Sequence, residues 1–372
     1  MENLSDEILE YNYDDSNEKL KEAAEHITNL KKGQDFRRFL ILCKLSAFQC
    51  NSKAQYILGL LYLYGVQALE DYFETKIEPN INIELNHKEA IEWFEKSADL
   101  GLEYSQYELG YYYYSGKYEP VDYEKALKYF KMCQTRSACF YIGNIYRDGL
   151  GVEVDLDLAE RWFIEAARLG SSAAEVNLGL LYENSKLYEK DVKKARYYYK
   201  KAGDSGYSVG YFYLALSYFH DTDLENNYEK SLKYFAKGAD GGDLKSLVNL
   251  GYMHEFGFGC EVDYTFAREC YEEATEKGCS SGISNLGELY KRGLGVELDY
   301  EKAMELYELA RIVAEETNEP EDIGLALNNI GELYAEGLGV EKDLNKALEL
   351  FKEALTYGFD SQDNIDKITS KK

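Results

Sequence analysis

Residues Ala138 to Gly170 read ACFYIGNIYRDGLGVEVDLDLAERWFIEAARLG. The skeleton inside this stretch is Ala138, Ile142-Gly143, Tyr146, Gly149-Leu150-Gly151-Val152, Asp155, Ala159, Trp162-Phe163, Ala166-Ala167 and Gly170. Its Leu-Gly pair, or a close stand-in, returns at Leu58-Gly59, Leu109-Gly110, Ile142-Gly143, Leu178-Gly179, Leu214-Ala215, Leu250-Gly251, Leu286-Gly287 and Ile330-Gly331. The spacings between the second residues are 51, 33, 36, 36, 36, 36 and 44. A period in the thirties marks a stacked array of helical hairpins.

Each skeleton position has a physical reason. Ala, Leu, Gly and Tyr at helical spacing give the first helix of a hairpin one small, packable stripe. The Gly inside that helix costs about 1 kcal/mol against Ala. Close approach of the second helix explains keeping it. Gly149 and Gly151 punctuate the turn, where Gly reaches positive φ cheaply. Asp155 can cap the second helix, and Asp263, Asp299 and Asp343 hold the same place in later copies. Ala159, Phe163 and Ala166 then form the buried stripe of that second helix.

The recurring combination of Leu-Gly, Tyr, Gly-Leu-Gly-Val, Asp and Lys-Ala resembles the Sel-one-like repeat family, a subclass of tetratricopeptide-like α/α repeats. It is strongest at Gly143–Gly170, Gly251–Gly278, Gly287–Ala310 and Gly331–Gly358, and runs over roughly residues 54–358. The resemblance implies an all-α fold, a right-handed α/α superhelix (solenoid) of about eight helix-turn-helix repeats with N-terminal capping helices. It also implies a non-enzymatic scaffold or adaptor that binds other proteins.

Composition agrees with a helical array. Three prolines in 372 residues suit a nearly all-helical chain, and Pro79, Pro120 and Pro320 all fall in expected loops. The formal charge of −26 argues against nucleic acid and anionic membrane, which need basic patches. It permits a basic partner, and it also serves to keep a large surface soluble. Met1 to Glu7 has no basic region and no apolar core, so no secretory signal is expected. No run of about 18 apolar residues could span a membrane. The expected compartment is a cytoplasm, of the cell or of a host. The odd count of seven cysteines with no export signal favours reduced thiols. Cys133 and Cys139, astride a turn, are the one pair that resembles the disulfide pairs of a secreted branch of the family.

Residues 1–53 read as a loose acidic start followed by two capping helices, Glu18–Lys32 and Phe36–Gln49. The repeats occupy residues 54–358. The turn of the first repeat is interrupted by a long loop, about residues 66–86, with Tyr72, Phe73, Ile77, Ile81 and Ile83 in it. Such a loop either carries function or covers the end of the array. Repeat four replaces the Gly-x-Gly turn by Asn184–Lys190, and repeat five by Asp221–Asn227. Repeat seven extends its second helix through Ile312 and Val313, and an insertion including Asn318-Glu319-Pro320 precedes repeat eight. Residues 359–372 form a polar tail with one helical turn near Ile365 and Ile368.

In tetratricopeptide-like arrays the first helix of each hairpin lines the concave face. Relative to the helix Gly, offsets −3, +1 and +4 share one helical side and are expected to face a ligand. The Tyr at +3 is expected in the core. The candidate groove residues are Tyr56, Tyr107, Tyr111, Tyr114, Phe140, Asn144, Arg147, Phe212 and Tyr252, with Tyr107, Tyr111 and Tyr114 at its centre. Arg147 could meet a partner carboxylate or pair with its neighbour Asp148. The groove would be aromatic from repeats one to six, and polar at Glu288, Lys291 and Glu332.

No chemistry-bearing motif competes with this reading. There is no phosphate loop, and the glycine turns follow helices rather than strands. His26, His87, His220 and His254 lack metal-ligand spacing. No catalytic residue, cofactor or metal is expected. The expected partner is a protein or peptide, basic or able to bind aromatic rings. A dedicated regulatory or inhibitory subunit of one enzyme or toxin, or a host-directed effector, is the alternative.

Overall fold

The computed structural model describes residues 36–73, 84–184, 191–221 and 226–370, together with Lys21. Among these residues every regular element is a helix. The expected first capping helix, Glu18–Lys32, lies outside the described residues apart from Lys21, as do Ile77, Pro79, Ile81 and Ile83 of the insertion. The structure separates into two compact units, Met1–Ala174 and Glu175–Lys372.

In the first unit, α1 (Phe36–Phe48) packs on α2 (Ser52–Tyr64) and buries Phe36, Phe39 and Cys43. Gln55 ties the two by donating to the Ala47 carbonyl at 3.0 Å. After α2 comes the short α3 (Val66–Phe73), and then α4 (His87–Asp99), which is the true partner of α2. Two further hairpins follow, α5 (Glu103–Ser115) with α6 (Tyr123–Met132) and α7 (Arg136–Asp148) with α8 (Leu156–Arg168). Helix α9 (Ser172–Asn184) begins the next repeat.

In the second unit α9 is followed by α10 (Val192–Asp204), then α11 (Val209–Phe219) pairs with α12 (Asn227–Asp240). The remaining hairpins are α13 (Leu244–Phe256) with α14 (Tyr264–Glu276), α15 (Ser280–Arg292) with α16 (Tyr300–Thr317), and α17 (Pro320–Glu336) with α18 (Leu344–Thr356). Helix α19 (Gln362–Thr369) closes the unit, placing Ile365 and Ile368 in a cluster with Ala347 and Phe351. The C-terminal tail is therefore a docked two-turn helix over most of its length.

The helix glycine is explained by the ring it faces. A Cβ on Gly143 would lie 2.5 Å from Phe163 Cε1, far inside contact distance. The same pairing joins Gly59 to Phe94, Gly110 to Phe130, Gly331 to Phe351, and Gly179, Gly251 and Gly287 to Tyr199, Tyr271 and Tyr307. A ring laid on bare backbone buries a large apolar area at close axial distance, which outweighs the propensity cost of glycine. Tyrosine replaces phenylalanine where a carboxylate on the first helix accepts its hydroxyl: Tyr199 to Glu183 at 3.0 Å, Tyr271 to Glu255 at 3.1 Å, Tyr307 to Glu288 at 3.0 Å. A buried phenol needs such a partner.

The turn aspartate acts twice. Asp155 Oδ1 accepts from the Leu158 amide at 2.9 Å, which caps α8. Its own amide donates to the Tyr146 carbonyl at 2.9 Å, which closes the hairpin from the other side. Asp263, Asp299 and Asp343 repeat both bonds. Between the helices Gly149 and Gly151 sit at φ 68° and 67°, in the left-handed region. Gly151 has a second duty: a Cβ there would meet Tyr123 Cβ of the preceding hairpin at 2.9 Å.

Several expectations need correction. The insertion after Gly65 is not all loop, since its first eight residues form α3. Pro320 does not lie in a loop. It opens α17 at a position where the missing amide costs nothing. The insertion before repeat eight lengthens two helices, α16 and α17, which meet at Asn318 in the left-handed conformation (φ 57°). All seven cysteines are free thiols, and burial pushes the Cys133 thiol up to about 11.

Candidate functional site: the aromatic face of the first helices

Helix α5 carries four consecutive tyrosines, and helical geometry divides them between two sides. Tyr112 and Tyr113 point inward, stacked on Tyr118 at 5.7 Å and on Tyr129 at 6.0 Å. Tyr111 and Tyr114 fall on the other side with Tyr107, because residues three and four apart share a helical face. These three rings converge on Tyr141 of α7, at centroid distances of 6.4 Å from Tyr107, 5.7 Å from Tyr111 and 4.9 Å from Tyr114. Phe130 of α6 lies beneath, 5.3 Å from Tyr141 and nearly parallel to it. Tyr111 is the most open member at 37 % exposure, while Tyr107, Tyr114 and Tyr141 are half-buried.

A carboxylate enters this aromatic surface. Glu108 of α5 accepts from the Tyr64 hydroxyl of α2 at 3.1 Å. Desolvation raises the Glu108 carboxyl above its ordinary range, and the Tyr64 bond lowers it only in part. Burial, then the Glu108 charge, pushes the Tyr64 hydroxyl far up, so Tyr64 stays protonated and donates. Tyr107 is raised in the same way by burial, Tyr141 and Glu108.

The other expected groove residues of the first unit are placed as follows. Phe140 is half-buried, 5.5 Å from Tyr141 and 6.1 Å from Phe163. Asn144 is buried, and its Oδ1 has no hydrogen-bond partner among the described residues. Arg147 is paired with Asp148 through two bonds of 2.7 and 2.6 Å. Tyr56 is buried in the core, 5.8 Å from Phe94 and 5.9 Å from Tyr104.

In the second unit Phe212 is half-buried against Phe235 and Tyr213. Tyr252 is 38 % exposed and Phe256 43 %, with ring centroids 4.6 Å apart. Phe258, from the glycine turn, links them to Tyr228 and Phe219. Beside this patch the charged residues satisfy one another. Arg292 donates to the buried Glu255 at 3.0 Å, and Lys291 bridges Glu288 at 3.2 Å and Glu332 at 2.8 Å. Asn328 and Asn364 complete the network at Glu332. The polar end expected from sequence is thus an internal ion-pair chain linking successive first helices.

Sequence reasoning missed Glu108, Tyr141 and Tyr64. Glu108 and Tyr141 share offset −2 from their helix glycines, a position left out of the ligand-facing set. The pattern −3, +1, +4 describes a single stripe, whereas adjacent helices interleave side chains from neighbouring positions. Among the described residues no group of histidine, cysteine and carboxylate side chains could hold a metal ion, and no helix is long and apolar enough to cross a membrane.

Comparison with known proteins places these features in context. The Sel1 repeat model matches residues 52–74, 81–102, 103–132, 136–171, 172–207, 208–243, 244–279, 280–311 and 324–356. The first of these nine segments holds α2 and α3 and the second holds α4, so the two together make one hairpin. A Sel1 repeat protein from Oxalobacter formigenes is similar in structure, with TM-score 0.63 and 25 % identity, over 88 % of this chain and 90 % of that one. A protective antigen of uropathogenic Escherichia coli strains with an SLR fold gives TM-score 0.60 and 25 % identity over 94 % and 80 %. A putative sel1-like repeat-containing protein of Acanthamoeba polyphaga mimivirus is 26 % identical over 143 residues, which is 38 % of this chain and only 23 % of that protein's length.

Proposed function

Because the chain belongs to the Sel1 repeat family, whose repeats generally mediate protein–protein interaction, we propose that it binds a protein or peptide on the aromatic first-helix face of its first unit. The observation that carries this reading is the convergence of Tyr107, Tyr111, Tyr114 and Tyr141 with Tyr111 left open. Phenol rings offer large contact area at low conformational cost and keep a polar tip for orientation. A ring buried by a partner contributes about 1.5–3 kcal/mol before ordering costs.

The role requires no turnover by the chain itself. It is that of a scaffold, or of a subunit regulating one dedicated partner. Native-lysate capture followed by measured affinities tests it. Tyr111→Ala is expected to weaken the captured partner about tenfold or more with little change in melting temperature. An unchanged affinity removes the assignment of this face. One stoichiometric partner identifies a dedicated regulatory or inhibitory subunit, whereas several clients identify a scaffold.

A further inference from the structure

We propose that Glu108 and the tyrosines around it receive a cationic side chain, lysine or arginine, presented by the bound partner. The inference rests on the partner-binding reading above and names the chemistry of what enters that face.

The first observation is a missing counter-charge. Among the described residues the carboxylates with the least exposure, Glu175 and Glu255, each hold a cation: Lys201 at 2.7 Å and Arg292 at 3.0 Å. Glu288 and Glu332 share Lys291. Glu108 differs. Its one hydrogen bond comes from the neutral Tyr64 hydroxyl, and no lysine or arginine pairs with it among the described residues. Withdrawing a carboxylate from water without a compensating charge is costly, so the site is left with an unmet demand for positive charge.

The second observation is independent of the carboxylate. Some tyrosines elsewhere carry cations over their rings, among them Tyr113 under Lys125 at 4.7 Å, Tyr182 under Lys194 at 3.8 Å and Tyr218 under Arg196 at 4.2 Å. Among the described residues Tyr107, Tyr111 and Tyr141 carry none. Arg147, whose charge reaches Tyr114, is held by Asp148. Rings that carry no cation, with Tyr111 open among them, beside a carboxylate that holds none form an environment that attracts an ammonium or guanidinium group. Tyr111 stands open at its edge, and the formal charge of −26 on the chain as a whole favours the approach of a basic segment.

The test uses random-peptide display selected on the full-length chain, on Glu108→Gln and on Tyr111→Ala, with the three matched for folding by thermal melts. Gln keeps the shape of Glu108, and its carbonyl can still accept from Tyr64. Peptides selected by the unmodified chain are expected to carry Lys or Arg at one fixed position. Glu108→Gln should bind them about tenfold more weakly. Replacing that peptide lysine by norleucine should cost as much, and this arm needs no protein variant. Selected peptides without a fixed basic residue overturn the inference, as does unchanged affinity for the norleucine peptide or for Glu108→Gln. Loss on Tyr111→Ala with no change on Glu108→Gln keeps the aromatic-face reading and removes the cation. No change on either variant, or no peptide selected at all, overturns both.

Discussion

Gly143 of α7 lies directly beneath the ring of Phe163 of α8, so close that a single added methyl group would come within 2.5 Å of ring atoms. The contact recurs at six other hairpins with Phe or Tyr as the ring. It sets how near the two helices of a repeat can come, and it makes the glycine a packing residue rather than a turn residue.

Gly143→Ala is therefore expected to destabilise the first unit by about 1–3 kcal/mol through overpacking. This runs against the gain of about 1 kcal/mol that alanine brings to an exposed helix interior. Urea unfolding reads the difference. Adding Phe163→Leu to Gly143→Ala should recover part of the loss, because the two changes share one contact. A stabilised Gly143→Ala protein would mean that the ring moves aside at no cost.

Arg292 holds the charge of Glu255, which is 6 % exposed and otherwise bonded to the Tyr271 hydroxyl. Arg292→Ala should cost about 1–3 kcal/mol by leaving that carboxylate with a neutral partner alone. The guanidinium side chain is itself 41 % exposed, which keeps the loss below that of a fully buried pair. Glu255→Gln in the Arg292→Ala background should restore much of the stability. If Arg292→Ala melts with the unmodified protein, the ion-pair chain at this end contributes nothing.

Glu108 gives a pH dependence of known sign. Desolvation raises its carboxyl in the folded chain above the ordinary 4.5, with the Tyr64 hydroxyl opposing. The folded state then binds the proton more tightly than the unfolded state, so this group favours folding most at low pH. That contribution is lost as pH rises through the elevated folded value. Glu108→Gln has no such loss, so its stability advantage over the unmodified chain should grow upward from about pH 4.5. Melting temperatures of the two proteins between pH 4 and pH 8, compared pairwise, read this; parallel curves would show an ordinary, solvated Glu108.

Tyr111 and Tyr114 should separate binding from stability. Tyr114 touches Tyr123, Phe130 and Tyr141, so Tyr114→Ala opens a cavity and is expected to cost about 1–3 kcal/mol. Tyr111→Ala, at the open edge, should stay within about 1 kcal/mol of the unmodified chain. Urea midpoints check the ranking, and equal losses would place Tyr111 in the core.

The repeat itself was legible in sequence because its causes are local. The glycine, the turn and the capping aspartate each act within one hairpin, and Asp155, Asp263, Asp299 and Asp343 cap as their spacing implies. Helix α3 was not legible, since a departure from the period reads as loop when no repeat position calls for a helix there. Pro320 was misread for a similar reason, because proline opens helices as readily as it interrupts them.

Sequence alone thus determined the hairpin class, the period and the close approach of the second helix at the glycine, all of which follow from spacing within about 35 residues. Tertiary structure alone decided which side chains from neighbouring hairpins meet. It put Tyr56 in the core and Tyr141 among Tyr107, Tyr111 and Tyr114. It spent the charges of Glu255, Glu288, Lys291 and Glu332 on one another, and it left Glu108 with a phenol for a partner. The physical reason is that one stripe on one helix fixes only direction. Whether a side chain is buried, paired or open depends on the residue that the next helix brings opposite it.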